Sequence, residues 1–168
     1  ASQPERVQAL VLMAPDGFPE AKDIGSKPYE VPALMGVIQY FLPKYFVQKS
    51  IEPGFADPHL LNEALVNRYY DMLRAPGVRG AILDRSNQTI YTDPVPRLKK
   101  IKAPTLLLWG EQDQMIPSSN AQSYAVVLRH SSTVVVPKLG HLLQEEQPDT
   151  GLAAVMQFLE AQQAAIKP

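Results

Sequence analysis

Two side chains in this sequence are spaced to do acid–base chemistry together. Asp113 comes four residues after the apolar run Thr105-Leu-Leu-Leu-Trp109, and His141 comes five after Thr133-Val-Val-Val136. A carboxylate that accepts the proton on one imidazole nitrogen fixes the tautomer of the ring, leaving the other nitrogen as a general base toward a hydroxyl nucleophile. Taken singly, a loop aspartate and a loop histidine are ordinary solvated residues, so the pairing depends on what positions them. A competing acid, Asp16, follows a third apolar run, Val7 to Ala14. Pro15-Asp16-Gly17 is a common turn sequence in which the carboxylate bonds its own backbone, and Asp113 is preferred. His130 falls at the end of an expected helix and His59 in the first turn of another, positions typical of surface groups. Neither reads as the base, and three scattered histidines lack the ligand spacing of a metal site.

The elements required to bring Asp113 and His141 together are visible in the hydrophobic pattern. Residues 7–14 read as a strand buried on both faces, and Thr105–Trp109 and Thr133–Val136 as two more. Ser118-Ser119 is expected to cap a helix running to about His130. Pro148 to about Gln163 forms the last helix, with Leu152, Val155, Met156 and Leu159 as its buried stripe. Strand, helix, strand, helix from residue 105 onward predicts an α/β fold with a parallel sheet and right-handed crossovers. In such a sheet catalytic groups gather beyond the carboxyl ends of the strands, where both candidate residues lie.

Between the first two strands the pattern changes. A connecting loop is expected from Pro19 to Pro32. Leu34, Ile38, Phe41, Leu42, Tyr45 and Phe46 then recur at helical spacing, with Pro43 expected to kink or split the helix. Asp57-Pro58 reads as an N-cap with proline at the first helical position, opening a helix with the stripe Leu61, Leu65, Tyr69 and Met72. Another helix follows Pro76-Gly77. The expected organisation is a core segment at 1–19, a helical lid at 20–92 and a C-terminal core at 93–168. The lid aromatics Tyr40, Phe41, Tyr45, Phe46, Tyr69 and Tyr70 are expected to pack internally, the alternative being the lining of an apolar substrate cavity. Trp109 is expected in the core.

Composition bounds the function. The 168 residues are 45% hydrophobic and 20% charged with a formal net charge of -1, which fits a globular domain and offers no basic stripe for a nucleic-acid backbone. The longest apolar run, Ala9 to Ala14, falls far short of the roughly 20 residues that span a bilayer. With no cysteine, thiolate chemistry and disulfides are excluded.

Pro104-Thr-Leu-Leu-Leu-Trp-Gly110, Glu-Gln-Asp113-Gln-Met-Ile-Pro117 and Gly140-His141 followed by Glu145-Glu146 and Pro148 together resemble the end of an α/β-hydrolase. Residues 4–14 resemble the strand that precedes the lid in that family, so the resemblance spans residues 4–165, weakly within the lid. It implies that Asp113 is the triad acid and His141 the base, and that Met115 and Leu142 wall the substrate pocket. No cofactor is implied. The departure from the family pattern is the nucleophile elbow, Gly-x-Ser-x-Gly. None of the nine glycines lies four residues from another, so the elbow is absent.

The resemblance places the nucleophile and the oxyanion hole upstream of residue 1, in roughly 100 or more further residues. The leading expectation is a serine hydrolase of carboxylic esters or related acyl compounds, acting on a small apolar substrate in the cytoplasm. Carbon–carbon bond hydrolysis, epoxide hydrolysis and haloalkane dehalogenation are alternatives within the fold. Tyr69 and Tyr70 keep the epoxide reading open. A non-catalytic hydrolase-like binding protein is the alternative outside enzymology. The chain alone is expected to be inactive and to self-associate through residues 7–14, or to pair with an upstream half, because that strand carries no charge or proline to guard an open edge.

Overall fold

The computed structural model describes residues 3–25, 27–28 and 31–166. Its elements in chain order are β1 (Leu10–Met13), α1 (Lys44–Ile51), α2 (Glu63–Arg74), α3 (Val78–Gln88), α4 (Val95–Leu98), β2 (Thr105–Gly110), α5 (Ala121–Val127), β3 (Ser131–Val136), α6 (Leu143–Glu146) and α7 (Pro148–Ile166). Residues 26, 29 and 30 of the expected connecting loop lie outside the described residues. The chain divides into two compact units. One comprises residues 1–18, 53–58 and 94–168, and the other residues 19–52 and 59–93.

The first unit is built on a parallel sheet in the order β1-β2-β3, with Leu10 opposite Thr105 and Gly110 opposite Val136. Every residue of β2 is buried, because a central parallel strand is covered on both faces. Its alternation divides the core. Leu107 and Trp109 pack with Ala14, Ala121, Tyr124 and Leu128, while Leu106 and Leu108 pack on the other face with Val136, Leu139, Leu143 and Phe158. Burial of each leucine, valine or phenylalanine among them stabilises the fold by about 1.5–3 kcal/mol relative to exposure.

Several expectations change here. β1 covers only residues 10–13 and is half-buried rather than buried on both faces, because β2 is its one sheet neighbour among the described residues. In α7 the buried face carries Gly151 and Phe158 with Val155 and Leu159 at its margin, whereas Leu152 and Met156 are exposed. Phe158 is the bulkiest apolar group on that helix, and the face that buries it turns Leu152 and Met156 outward. The helix before β3 ends at Val127, and neither Ser118 nor Ser119 caps it.

The second unit is helical. Pro43 ends one segment and precedes α1, as a residue that cannot donate a backbone hydrogen bond should. The cap of α2 is Asn62 rather than Asp57, its side chain accepting from the N–H of Leu65 at 2.9 Å. Val66 is the buried residue of α2, and Met72 is exposed. Of the six aromatics expected to pack internally, Tyr69 and Tyr70 are half-buried and the other four are exposed. Tyr40 is 86% exposed and Phe41 68%, with Tyr45 and Phe46 also largely in solvent. The chain also leaves this unit at 53–58, a return to the core that the expected continuous lid does not contain. Among the described residues no helix is long and apolar enough to cross a membrane.

Candidate active site

β2 and β3 end side by side, so the loops that follow them begin at the same edge of the sheet. Gly110 lets these loops close on each other, and Gly140 lets the second loop close on residues 54–56. A Cβ on Gly110 would lie 2.1 Å from the carbonyl oxygen of Gly140, and one on Gly140 would lie 2.7 Å from the backbone nitrogen of Ala56. Neither position has room for a side chain. The loops are joined by backbone hydrogen bonds, with the N–H of Glu111 donating to Val136 and that of Gln112 to Leu139, each at 2.9 Å. Lys138, at φ 61°, turns the chain out of β3 through a left-handed conformation unusual for a side chain with a Cβ.

Asp113 sits in the first loop with its side chain wholly buried. Its Oδ1 accepts from the N–H groups of Met115 and Ile116, both at 2.8 Å. The loop is fixed again by Trp109, fully buried at the end of β2, whose indole Nε1 donates to the carbonyl of Ile116 at 2.9 Å. With Oδ1 engaged, Oδ2 is left to face His141, whose Nδ1 lies 2.8 Å away. A carboxylate accepts only, so Nδ1 carries a proton, and in the neutral ring Nε2 presents its lone pair. The imidazole is 23% exposed, leaving it reachable by a reacting group while its partner is shielded. This arrangement can draw a proton from a hydroxyl and hold the resulting imidazolium.

The remaining candidates separate clearly. Asp16 is exposed three residues past the end of β1, and its charge acts on Tyr124. Burial first, and then the charge of Asp16, hold the Tyr124 hydroxyl above its ordinary pKa, while that hydroxyl donates to the carbonyl of Pro15 at 3.1 Å. His130 is exposed at the start of β3, the opposite end from His141. His59 is exposed in the second unit. Met115 and Leu142 converge on Gly54, where a Cβ would meet Leu142 Cδ1 at 2.9 Å and Met115 Sδ at 3.5 Å. Tyr69 and Tyr70 face different cations, Arg68 standing 5.6 Å from one ring and Arg74 5.4 Å from the other. Among the described residues no group of three or more His, Asp or Glu side chains is arranged to hold a metal ion.

Sequence reasoning missed the segment Pro53–Pro58 and its partner Glu146. Phe55, almost completely buried within a breaker-rich stretch, was the available signal for the segment. For Glu146 the signal was an acid at the end of a short apolar turn, Leu142-Leu143, just after the histidine.

Comparison with known proteins agrees with this architecture. A 2-hydroxy-6-oxo-6-phenylhexa-2,4-dienoate hydrolase of Burkholderia cepacia is 26% identical over 166 residues, covering 93% of this chain and 55% of that protein. The monoacylglycerol lipase ABHD6 of Mus musculus is 26% identical over 136 residues, covering 81% of this chain and 36% of that protein. Among solved structures, the 2-hydroxy-6-oxo-6-phenylhexa-2,4-dienoate hydrolase of Rhodococcus sp. strain RHA1 shares the fold with a TM-score of 0.71 at 22% identity, covering 95% of this chain and 57% of that one. The chain thus spans about half the length of the hydrolases it matches along most of its own. With the family model of the alpha/beta hydrolases matching residues 1–155, the chain belongs to the alpha/beta hydrolase family.

Proposed function

We propose that this chain carries the acid and the base of a hydrolase that attacks a carbonyl carbon, with Asp113 orienting His141 and a hydroxyl nucleophile lying outside the chain. The observation that carries the reading is the 2.8 Å contact between His141 Nδ1 and a buried Asp113 carboxylate at the carboxyl ends of adjacent parallel strands. His141 Nε2 takes the hydroxyl proton as the nucleophile adds to the carbonyl, and returns it to the group that leaves. Water then releases the acyl fragment by the same route in reverse roles. Met115 and Leu142 form part of the wall around the reacting carbonyl.

The preferred substrate is a 2-hydroxy-6-oxo-dienoate, a choice supported by the Burkholderia cepacia relative. The compound named there carries a carboxylate, an enol hydroxyl and a ketone but no ester. Its hydrolysis therefore breaks the carbon–carbon bond beside the ketone, consuming one water and giving a carboxylic acid and a protonated carbon fragment. That reading goes ahead of the ester reading, which the lipase relative keeps as a second. The two differ in one step, since the proton held by His141 goes to carbon in the first and to oxygen in the second. Assaying the intact enzyme on 2-hydroxy-6-oxo-6-phenylhexa-2,4-dienoate and on short-chain nitrophenyl esters separates them. A kcat/KM at least about 10-fold higher on the dienoate, some 1.4 kcal/mol in transition-state stabilisation, is the expected result. The reverse preference would establish the ester reading, and no turnover of either compound would sink both.

A further inference from the structure

Glu146 is a buried acidic residue unused by the chemistry described above. Its two oxygens hold two stretches of chain. Oε1 accepts from the N–H groups of Ala56 at 2.7 Å and Asp57 at 3.1 Å, and Oε2 accepts from the N–H of Gly140, the residue before His141. A buried carboxylate is costly unless donors surround it, and here three backbone donors do. The same two stretches are joined twice more, by the N–H of Leu142 donating to the carbonyl of Gly54 at 2.9 Å and by the close approach of Gly140 to Gly54, Phe55 and Ala56. His141 therefore lies between two residues whose backbone N–H groups are both committed, one to Glu146 and one to Gly54.

We propose that Glu146 is a positioning residue for His141, fixing the backbone on which the imidazole is carried by bridging Gly140 to the 53–58 segment. The proposal rests on the reading of His141 as the base. Asp113 sets the tautomer and the tilt of the ring, and Glu146 sets where the ring begins. No neutral side chain of the same size reproduces this, because an amide in place of the carboxylate turns one of the two oxygens into a donor facing a backbone donor.

The intact enzyme tests this with Glu146→Gln. Misplacing a catalytic group by about 1 Å costs on the order of 100-fold in rate. The expected result is a kcat about 10- to 100-fold lower with KM within about twofold, together with a shifted or broadened proton resonance of the His141 Nδ1–H. Wild-type kcat and an unmoved resonance in the folded variant would overturn the proposal, since a purely structural role leaves both in place. If the glutamine variant melts below the assay temperature, Glu146→Asp decides, as it keeps the charge but is one methylene too short to span both segments. A reduced kcat at unchanged KM supports the proposal there, and wild-type kcat or a second unfolded protein assigns Glu146 to folding alone and overturns it. His141→Ala is assayed in parallel. Its inactivity beside an unimpaired Glu146 variant removes only the positioning role, whereas an active His141→Ala enzyme removes the function reading and this proposal with it.

Discussion

Trp109 and Tyr40 are both large aromatics at positions where the sequence pattern calls for burial, and the structure treats them oppositely. Trp109 has no exposed surface and its indole nitrogen holds the carbonyl of Ile116, whereas Tyr40 is 86% exposed. The contrast extends to their surroundings. In the unit that holds Trp109 the buried carboxylates of Asp113 and Glu146 each accept from two or more backbone donors, and β2 is buried throughout. Around Tyr40 the apolar side chains of Leu34, Phe41, Tyr45 and Phe46 stand in solvent. An apolar stripe records that a surface needs cover without recording what supplies it. In the sheet unit this chain supplies the cover for β2, and in the helical unit it leaves these five side chains exposed.

The largest effects should fall at the sheet end. In the intact enzyme, His141→Ala and Asp113→Asn are each expected to lower kcat about 10³-fold or more in steady-state kinetics, as loss of members of such a dyad does. Asp16→Asn, directed at the acid that faces Tyr124, should change kcat by less than about threefold, the span allowed by about 0.6 kcal/mol. Equal losses in the two aspartate variants would dissolve the distinction between these loops. Stability should divide in the same way. Leu107→Ala is expected to cost about 2–5 kcal/mol in urea unfolding and Phe41→Ala less than about 0.5 kcal/mol. A comparable loss at Phe41 would show that the helical unit buries its aromatics after all.

Association lies between these extremes. β1 offers an apolar edge with no strand beside it among the described residues, and Met13 on it is 40% exposed. The 168-residue chain alone is expected to associate in light scattering, and Met13→Lys to weaken that association by placing a charge on the edge. A dilute-stable monomer would show that the edge is covered within the chain.

The smallest effect concerns pH. Because burial and Asp16 raise the Tyr124 pKa above 10.0, the folded state favours the protonated phenol. That contribution is complete below the ordinary value and is lost as pH rises from there through the folded value. Unfolding free energy should therefore dip in that alkaline window for the wild type, and the Tyr124 part of the dip should vanish in Tyr124→Phe. An identical alkaline dip in the phenylalanine variant would assign it to other groups.

Much of the sheet end was legible from residue types. Apolar runs closed by glycine or proline mark β2 and β3, and the rule that catalytic groups follow parallel strands selects Asp113 and His141, which the structure brings to 2.8 Å. Met115 and Leu142 both lie beside Gly54. What escaped the sequence depends on long-range pairing. Asp57 was expected to cap a helix, but its N–H is bound by Glu146, 89 residues away, and Asn62 caps instead. The exposed faces of Leu152 and Met156 were misread because helical periodicity gives the spacing of a stripe, and the choice between adjacent stripes on α7 is made by Phe158. Local pattern names the elements, while partners far along the chain decide which face and which cap prevail.

The glycine pair at the strand ends also determines where the chain will accept new material. Contact between the acid and histidine loops is made where Gly110, the last residue of β2, meets the carbonyl of Gly140, four residues past the end of β3, so it does not depend on how many residues join the far ends of the two strands. An insertion between the exposed Arg129 and His130, ahead of the His130 carbonyl that accepts from the N–H of Thr105 at 2.8 Å, adds loop-closure entropy that grows only logarithmically with length and leaves the ends of β2 and β3 in register. A single methyl group at residue 110 is a larger perturbation than ten residues grafted there. Tags, reporters or binding peptides belong at 129–130, and the two glycines mark the places that tolerate nothing.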